Sequence, residues 1–349
     1  MSKCAVVLFN LGGPDGPEAI QPFLFNLFND PAIIGLPFFL RQPLAHFISS
    51  RRAPVAAEIY AHLGGRSPLL ELTQGQASAL HENLGGGDDV RVFIAMRYWH
   101  PLAGETAKQV REFDPDEIIL MPLYPHYSST TTGSSLTDWH KAAKDAGLDK
   151  PASAICCYPL MEGLIRAHDK LLQSTLSALA PGQAKRVLFS AHGLPEKIIL
   201  AGDPYQFQIE QTARALASKA GLGPEEWVIC YQSRVGRLKW IGPSIDEALR
   251  GAAEDGRAVL VVPISFVSDH SETLVELDIE YAGKAKAMGI DHFARVPALG
   301  CDEDFIGGLA GLARRARHDM KMMDSGAGGR SCPEGRQCPC STSDGAQHV

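Results

Sequence analysis

Apolar runs rich in Val, Ile and Leu alternate along the chain with segments whose apolar residues recur at helical spacing. The apolar runs predict eight strands, at residues 5–10, 90–96, 117–123, 152–158, 186–191, 227–232, 258–266 and 292–297. The helical patterns predict helices at residues 104–113, 134–146, 162–179, 205–220, 272–288 and 303–323. Because the strands show no strict alternation of apolar and polar residues, we expect them to be buried on both faces. Burial on both faces is typical of a parallel α/β sheet.

The length of the chain and the number of strands predict two domains. A chain of 349 residues is too long for one ordinary core. The eight strands divide into four and four, so we expect two similar doubly wound domains, at residues 1–158 and 159–323, with a cleft between them. The last predicted helix is expected to pack back across the first domain. Residues 324–349 form a separate tail of different composition.

One apolar segment departs from this alternation of strands and helices. Residues 29–52 are apolar, are broken by three prolines and end in Arg51 and Arg52. One interpretation is a buried pair of helices. The other is an exposed apolar lip for a membrane surface or a greasy ligand, with the arginines at its edge to meet carboxylates.

Composition and charge place the chain among soluble globular enzymes. The hydrophobic fraction is 45% and the charged fraction 21%, both ordinary for that class. The net charge of −7, without a basic stripe, argues against nucleic acid as the main partner. The N-terminus enters a strand without a charged leader, and no stretch reaches the ~20 apolar residues of a membrane span. We therefore expect a cytoplasmic protein, whose eight cysteines are reduced thiols or metal ligands.

The tail combines two conflicting signals. It is rich in Gly and Ser and nearly devoid of apolar side chains, which predicts disorder. It also carries Cys332, Cys338 and Cys340 within nine residues. A disordered cytosolic tail has no use for three cysteines, so their presence argues against disorder.

Candidate catalytic residues lie at the ends of two predicted strands. His192 follows the apolar run that begins near residue 186, and His270 and Glu272 follow the run at 258–266. Open parallel sheets bind ligands beyond the carboxyl ends of their strands, so we expect these three side chains in one cleft. A histidine and a glutamate there suit either an acid–base pair or a divalent-metal site.

Glu272, Glu276 and Glu280 are spaced at i, i+4 and i+8, so on a helix they share one face. A solvated acidic face is one interpretation. The other is an acidic ladder that leads away from a metal site at the strand end.

Ten motifs, in order from about residue 5 to 320, together resemble those of the ferrochelatases. They are Phe9-Asn-Leu-Gly-Gly-Pro14, Ser50-Arg-Arg-Ala-Pro54, Gly64-Gly-Arg-Ser-Pro68, Met96-Arg-Tyr-Trp-His-Pro101, Leu123-Tyr-Pro-His-Tyr-Ser-Ser-Thr-Thr-Thr-Gly-Ser-Ser135, Ser190-Ala-His-Gly-Leu-Pro195, Gly202-Asp-Pro-Tyr205, Tyr231-Gln-Ser233, Trp240-Ile-Gly-Pro243 and Ser268-Asp-His-Ser-Glu-Thr-Leu-Val-Glu-Leu-Asp-Ile-Glu280. The resemblance implies a lyase with two Rossmann-like, chelatase-type lobes that inserts Fe²⁺ into protoporphyrin IX to form protohaem, the final step of haem synthesis.

The resemblance also implies roles for individual residues. His192 would ligate the iron substrate or accept pyrrole protons, because a neutral imidazole can accept a proton near pH 7. Glu272 would sit opposite His192 as a second catalytic and metal-binding group, and Glu276 and Glu280 would carry protons out or metal in. The implied porphyrin-binding residues are Leu11, Arg51, Arg52, Ser67, Tyr98 and Trp240.

The apolar lip and the Thr-Thr-Gly-Ser-Ser run favour protoporphyrin, because the bacterial members that act on coproporphyrin resemble a shorter form without them. A lip of this kind implies weak, peripheral contact with a membrane surface, expected at the inner membrane. A homodimer is a further partner arrangement that the sequence leaves open. A chelatase for another tetrapyrrole and a tetrapyrrole- or metal-binding protein without catalysis remain the rival functions.

The tail fits a [2Fe–2S] cluster, which some members of the family hold with three tail cysteines and one from the body; four thiolates are the usual requirement. Vertebrate-type members place the body ligand where this chain has Ser128 and Ser129. The expected substitute is the pair Cys156 and Cys157. Cys157 is preferred because adjacent strand residues point to opposite faces and Cys157 lies nearer the strand end. Structural zinc is the alternative.

Overall fold

The computed structural model describes residues 2–234, 236, 238–318, 332–333 and 335–341. These residues form two four-stranded parallel sheets, in the orders β2-β1-β3-β4 and β6-β5-β7-β8. The strands are β1 Cys4–Asn10, β2 Val90–Met96, β3 Glu117–Pro122, β4 Ala152–Ala154, β5 Lys185–His192, β6 Trp227–Gln232, β7 Ala258–Pro263 and β8 Phe293–Arg295. All eight predicted strands are therefore present, and the prediction of two doubly wound parallel sheets is confirmed.

Helices cover the faces of both sheets. They are α1 Ile20–Phe28, α2 Phe38–Ala61, α3 Leu69–Asn83, α4 Ala103–Phe113, α5 Ser134–Asp145, α6 Glu162–Leu176, α7 Glu196–Leu200, α8 Tyr205–Lys219, α9 Ile245–Glu254, α10 Ala282–Ala287 and α11 Glu303–His318. Ser129–Gly133 and Glu272–Tyr281 are π-helices. Every residue of β1, β3 and β7 is buried, as expected of strands that are covered on both faces.

Several strands are shorter than the sequence pattern predicts, and β8 covers only Phe293–Arg295 of the predicted 292–297. β4 ends at Ala154, not near residue 158, and β7 ends at Pro263, not at residue 266. Pro122 closes β3, the neighbour of β4, and proline has no amide hydrogen to extend the ladder. Pro263 ends β7 in the same way. Cys156 and Cys157 therefore lie beyond the strand.

The final helix packs against the first sheet, although it follows the second sheet in sequence. Leu309 and Leu312 of α11 lie in one buried cluster with Val6 and Leu8 of β1. The expected return of the last helix across the first half is thus present as far as His318, and residues 319–323 of the predicted helix lie outside the described residues. Because this packing ties the C-terminal helix to the N-terminal sheet, the two halves share a core.

The apolar segment forms one long helix where the prolines predict interruptions. Pro43 and Pro54 both lie inside α2, a helix of 24 residues. Each proline removes one amide donor, which costs helix stability. Packing of the inner face of α2 against α1, through Ala53 and Ala56, accompanies the continuous helix. Tertiary packing here overrides local propensity.

The N-terminal part of α2 is exposed and apolar. Of the two interpretations of this segment, the structure favours an exposed apolar surface over a buried pair of helices. Phe38 and Phe39 are 60% and 71% exposed, and Leu40 and Phe47 are exposed as well. Among the described residues, no helix combines the length and the apolar character that a membrane crossing requires.

The packing of α11 makes a stability prediction. Leu309 is fully buried against the first sheet, so Leu309→Ala should lower the free energy of unfolding by about 2–5 kcal/mol. Gly311 lies in the same helix with open space where a Cβ would stand, so Gly311→Ala should raise it by about 0.5–1 kcal/mol. Urea unfolding followed by circular dichroism measures both. Equal effects of the two variants would contradict this packing.

Candidate active site

His192 is the last residue of β5, a central strand of the second sheet, so its side chain stands at the carboxyl edge. The next residue is Gly193, where a Cβ would lie 3.0 Å from the Gln232 carbonyl oxygen and 3.2 Å from Arg234 Cγ. Only glycine allows the β6 edge to approach this closely. The small residues around His192 therefore bring a second strand end against the histidine.

The backbone of His192 is held at both ends. Its amide nitrogen donates to Ser265 Oγ at 3.2 Å, and its carbonyl oxygen accepts a hydrogen bond from the Tyr205 hydroxyl at 3.0 Å. Tyr205 begins α8, and Ser265 follows β7. Sequence reasoning assigned a role to neither residue, because both contacts join segments that are far apart in the chain.

His192 and Glu272 form a direct pair. His192 Nδ1 lies 2.8 Å from Glu272 Oε2, and the two side chains are 38% and 24% exposed. Burial opposes the charge on His192, yet the adjacent Glu272 carboxylate outweighs it and raises the pKa of the imidazole. Burial likewise opposes ionisation of Glu272, but the His192 ring lowers the pKa of that carboxyl to about 2. The sequence placed Glu272 opposite His192; the structure places the two in hydrogen-bond contact.

The acidic ladder lies on a π-helix, Glu272–Tyr281, an arrangement that recurs at functional sites. The Ser233 hydroxyl lies 2.9 Å from Glu272 Oε2 and 2.6 Å from Glu276 Oε2, and the Ser233 amide donates to Glu276 Oε1 at 2.9 Å. Burial first, and then the Glu272 charge, raises the pKa of Glu276. Glu280 is exposed, and among the described residues it has no hydrogen bond or ion pair. The ladder thus runs from a half-buried carboxylate to solvent.

Ser233 joins the first two carboxylates from a strained backbone position. Its φ is 59°, in the left-handed region that residues other than glycine rarely adopt. A hydroxyl has one hydrogen to donate. When Glu276 is protonated it can donate to Ser233, which in turn donates to Glu272, and the three groups then form one continuous hydrogen-bond chain. The sequence motif contains Ser233, but nothing in the pattern signals its backbone conformation.

His270 is the third residue that the sequence placed in this cleft. It is buried, and its ring packs edge-on against Phe266 with ring centroids 4.5 Å apart. Burial lowers its pKa, which keeps it neutral. His270 lies near the pair but presents little surface to a ligand.

The Leu11–Pro14 turn is shaped by a close contact with Ser67. A Cβ on Gly13 would lie 2.5 Å from Ser67 Cβ, so no larger residue fits there. The Ser67 amide donates to the Pro14 carbonyl oxygen at 2.7 Å. Leu11 and Ser67, both predicted porphyrin-binding residues, are partly exposed on this turn and its neighbour.

The two predicted aromatic pocket residues have different environments. Tyr98 is 1% exposed, and its hydroxyl donates to the buried Asp30 carboxylate at 2.7 Å. Asp30 also pairs with Arg97 at 2.9 Å, so Tyr98 helps to anchor the start of the apolar segment and presents no face to a ligand. Trp240 is half-buried beside Gly193, and its buried indole N–H has no hydrogen-bond partner among the described residues.

Arg51 and Arg52 lie exposed on α2. Their guanidinium groups stack over the rings of Phe47 and Phe28, at 5.5 and 5.7 Å from the ring centroids. Neither arginine has a carboxylate partner among the described residues. Both charges are therefore available at the edge of the lip.

Five cysteines converge in a second, separate pocket beside Tyr127: Cys156, Cys157, Cys332, Cys338 and Cys340. The sulfur atoms of Cys156, Cys338 and Cys340 lie within 4.8 Å of one another, and Cys156 and Cys340 form a disulfide. Cys156 Sγ lies 3.4 Å from Cys157 Sγ, and Gln208 Nε2 donates to Cys157 Sγ at 3.4 Å and Cys332 Sγ at 3.1 Å.

This pocket contradicts the prediction that only one of Cys156 and Cys157 can contact the tail. That prediction assumed that the two residues lie in a strand and point to opposite faces. Because β4 ends at Ala154, Cys156 and Cys157 do not alternate as strand residues do. Cys156 bonds to Cys340, and Cys157 interacts with Cys338. Around the three cysteines, residues 332–333 and 335–341 dock on the body; the rest of the tail lies outside the described residues.

Comparison with known proteins gives evidence on the family and the fold that is independent of the geometry of the site. A protein-family model described as ferrochelatase matches residues 3–317. The chain is 52% identical over 343 residues to the ferrochelatase of Caulobacter vibrioides, covering 97% of each chain, and 56% identical over 316 residues to that of Phenylobacterium zucineum, covering 89% of this chain and 90% of the other. The structure of the sirohydrochlorin chelatase SirB from Bacillus subtilis subspecies spizizenii, in complex with cobalt, has a TM-score of 0.55 at 10% identity, covering 91% of this chain and 96% of that one. That likeness concerns the fold alone.

The geometry of the pair predicts how His192 titrates. The Glu272 carboxylate stabilises the charged imidazolium, so Glu272→Gln should lower the pKa of His192 and leave less of it protonated at neutral pH. NMR titration of ¹⁵N-labelled histidine side chains measures this, with the signal assigned by loss in His192→Ala. Glu280→Gln, an exposed change at the far end of the ladder, should leave the pKa where it is. An unchanged pKa in Glu272→Gln would contradict the pairing.

Proposed function

The chain belongs to the ferrochelatase family, and we propose that its substrates are Fe²⁺ and protoporphyrin IX, joined at His192 to give protohaem. Enzymes of this family are lyases of haem synthesis. The observation that carries the proposal for the site is the His192–Glu272 pair, 2.8 Å apart at the carboxyl edge of the second sheet.

The pair determines which nitrogen of His192 reacts. An ionised carboxylate only accepts hydrogen bonds, so His192 Nδ1 carries the hydrogen toward Glu272 Oε2. In the neutral ring the lone pair is then on Nε2. His192 Nε2 is the atom that accepts a pyrrole proton or ligates the iron, and Glu272 stabilises the imidazolium that results.

The ladder supplies an exit for the protons that the porphyrin loses. A proton that reaches Glu272 can pass through the Ser233 hydroxyl to Glu276, since all three are in hydrogen-bond contact. The raised pKa of Glu276 favours its protonated form, which suits a transient carrier of a proton. Glu280, exposed to solvent, completes the route.

The remaining predicted residues surround the macrocycle. Trp240 offers its ring beside Gly193, the residue after His192. Leu11 and Ser67, both partly exposed, are the proposed contacts from the first half of the chain. Arg51 and Arg52 meet the propionates, because both guanidinium groups are exposed and lack a carboxylate partner among the described residues. Tyr98 contributes indirectly, by fixing Asp30. The apolar lip favours protoporphyrin, which is less polar than coproporphyrin.

The lip also supports peripheral binding to a membrane, with the inner membrane as the expected surface. Phe38, Phe39 and Leu40 form an exposed apolar end of α2, followed about three to four turns later by the exposed Arg51 and Arg52. Apolar residues flanked by cations suit an interfacial position at anionic lipid. An apolar substrate could then enter from the bilayer.

The cysteine pocket supports a [2Fe–2S] cluster. All five of its donor atoms are sulfur, which suits an iron–sulfur cluster and needs no other ligand type. Cys332, Cys338 and Cys340 would supply three ligands once the Cys156–Cys340 disulfide is reduced to two thiols. Cys157 would be the fourth, because Cys338 interacts with both Cys157 and Cys332 and Gln208 donates to the same two sulfurs. Cys156 is the alternative fourth ligand. Such a cluster supplies one-electron redox chemistry, which the metallation steps above do not use.

The function is tested by mixing purified protein with Fe²⁺ and protoporphyrin IX without oxygen and following haem formation. Wild-type protein should form haem, and His192→Ala should retain less than about a tenth of the rate, a loss of more than ~1.4 kcal/mol of barrier lowering. His62→Ala, at an exposed histidine that follows α2, is the matched control and should be fully active. Conversion of coproporphyrin in preference, or binding without conversion, would support the rival functions.

The lip is tested with vesicles that contain anionic lipid. Replacing Phe38, Phe39 and Leu40 with Ser should abolish co-sedimentation and raise KM for porphyrin more than it lowers kcat. The matched control replaces three other exposed apolar residues, Leu160, Leu200 and Met288, with Ser and should leave both quantities unchanged. Equal loss of binding in the two triple variants would contradict a dedicated lip.

The cluster is tested by colour and composition. Purified protein should absorb in the visible region and contain about two iron and two sulfide per chain. Cys157→Ser should lose the absorption while Cys156→Ser keeps it, and the opposite result would make Cys156 the fourth ligand. Colourless wild-type protein that contains zinc would replace the cluster with a structural zinc site.

A further inference from the structure

The cysteine segment, defined here as residues 332–333 and 335–341, docks on the start of α8. The Gln337 amide donates to the Gly202 carbonyl oxygen at 2.9 Å. One helical turn into α8, Gln208 Nε2 donates to Cys332 Sγ at 3.1 Å. The segment therefore contacts a residue just before α8, Gly202, and a residue in its first turn, Gln208.

Gln208 is oriented toward sulfur by a second contact. Its Oε1 accepts a hydrogen bond from the Tyr127 amide at 2.8 Å, so its NH₂ group must face Cys157 and Cys332. A donor aimed at two sulfurs stabilises thiolates more than thiols, because the hydrogen bond is assisted by charge. Gln208 is fully buried, so its NH₂ group has no solvent to turn toward.

The first residues of α8 are fixed as firmly as Gln208. Asp203 is 4% exposed; its Oδ1 accepts from the Tyr205 amide at 3.0 Å and its Oδ2 accepts from the Ser129 amide at 2.7 Å. Tyr205 therefore has its backbone held by a buried carboxylate that is itself held by the N-terminal half of the molecule.

Tyr205 connects this region to the catalytic pair. Its side chain is buried, and its hydroxyl donates to the carbonyl oxygen of His192 at 3.0 Å. Tyr205 and Gln208 are three residues apart, so they project from the same face of α8. One face of one helical turn thus contacts the cysteine pocket at Gln208 and the backbone of His192 at Tyr205.

We propose that the cysteine segment positions His192 through the first turn of α8. Tyr205 is the positioning residue, and Gln208 is the residue that donates hydrogen bonds to the thiolates when they bind a metal. The proposal rests on the proposed function of His192. The NH₂ group of Gln208 would hold the sulfurs of a bound metal centre. Gln208 lies in the first turn of α8, and Tyr205 in the same turn holds the carbonyl of His192. The centre then supports metallation without taking part in it. Small displacements of a catalytic group have large effects on rate, so a contact outside the cleft can matter.

The first test removes single contacts. Tyr205→Phe keeps the ring and loses only the hydroxyl, so kcat should fall about tenfold while KM for porphyrin and the midpoint of thermal unfolding stay near wild type. Gln208→Leu should also lower kcat and should change the visible absorption and reduction potential of the cluster, because hydrogen bonds to sulfur tune both. Gln206→Leu, on the same helix with its amide against Glu210, is the matched control and should change none of these.

The second test measures coupling with the double variant Tyr205→Phe/Gln208→Leu. If Gln208 acts through Tyr205, the double variant should be about as slow as the slower single variant. Losses in kcat that multiply would overturn the proposal, as would wild-type kcat in Tyr205→Phe. If Gln208→Leu fails to fold, Gln337→Pro, which removes the amide that binds Gly202, takes its place in the cycle. Failure of wild-type protein to make haem would instead overturn the proposed function.

Discussion

The hydrogen bond between His192 Nδ1 and Glu272 Oε2 is the interaction on which the proposed chemistry of this site depends. It exists because β5 and β7 are neighbours in register, with Ser190 opposite Pro263, so the segments that follow them leave the sheet at the same edge. A half-buried imidazole alone would lose its proton readily. Beside an ionised Glu272 it can hold one, and the ring is fixed in the tautomer that leaves Nε2 free. Metallation of a porphyrin requires such a group, because the group must accept pyrrole protons while the metal approaches the ring.

The N-terminal half supports this pair from outside the second sheet. Tyr60, near the C-terminal end of α2, reaches Ser271, the neighbour of Glu272, and burial raises the pKa of its hydroxyl to about 12. The helix with the exposed apolar end is therefore in contact with the segment that carries Glu272. Asp30, held by Arg97 and Tyr98, fixes the other end of the apolar segment. Contacts at both ends thus connect the apolar segment and α2 to the rest of the fold.

The sequence predicts the parts of this molecule that depend on local pattern. The strands are buried apolar runs, and the rule for the carboxyl ends of parallel strands places His192 and Glu272 together without knowledge of the sheet order. Contacts between distant segments escape such reasoning. Ser233 reaches both carboxylates from a left-handed backbone conformation. The Tyr205 hydroxyl donates a hydrogen bond to the carbonyl oxygen of His192. Helix α2 stays continuous through Pro43 because α1 packs against it. The pairing of Cys156 with Cys340 likewise depends on where β4 ends.

The central claim, that protons leave through the ladder beginning at Glu272, is tested most directly by anaerobic single-turnover haem formation in three variants. Porphyrin binding, followed by fluorescence quenching, serves as the reference that should not change. The account predicts a graded loss of rate: about 100-fold in Glu272→Gln, less in Glu276→Gln and least in Glu280→Gln. Equal, small losses at all three positions would contradict it and would identify the carboxylates as a solvated face.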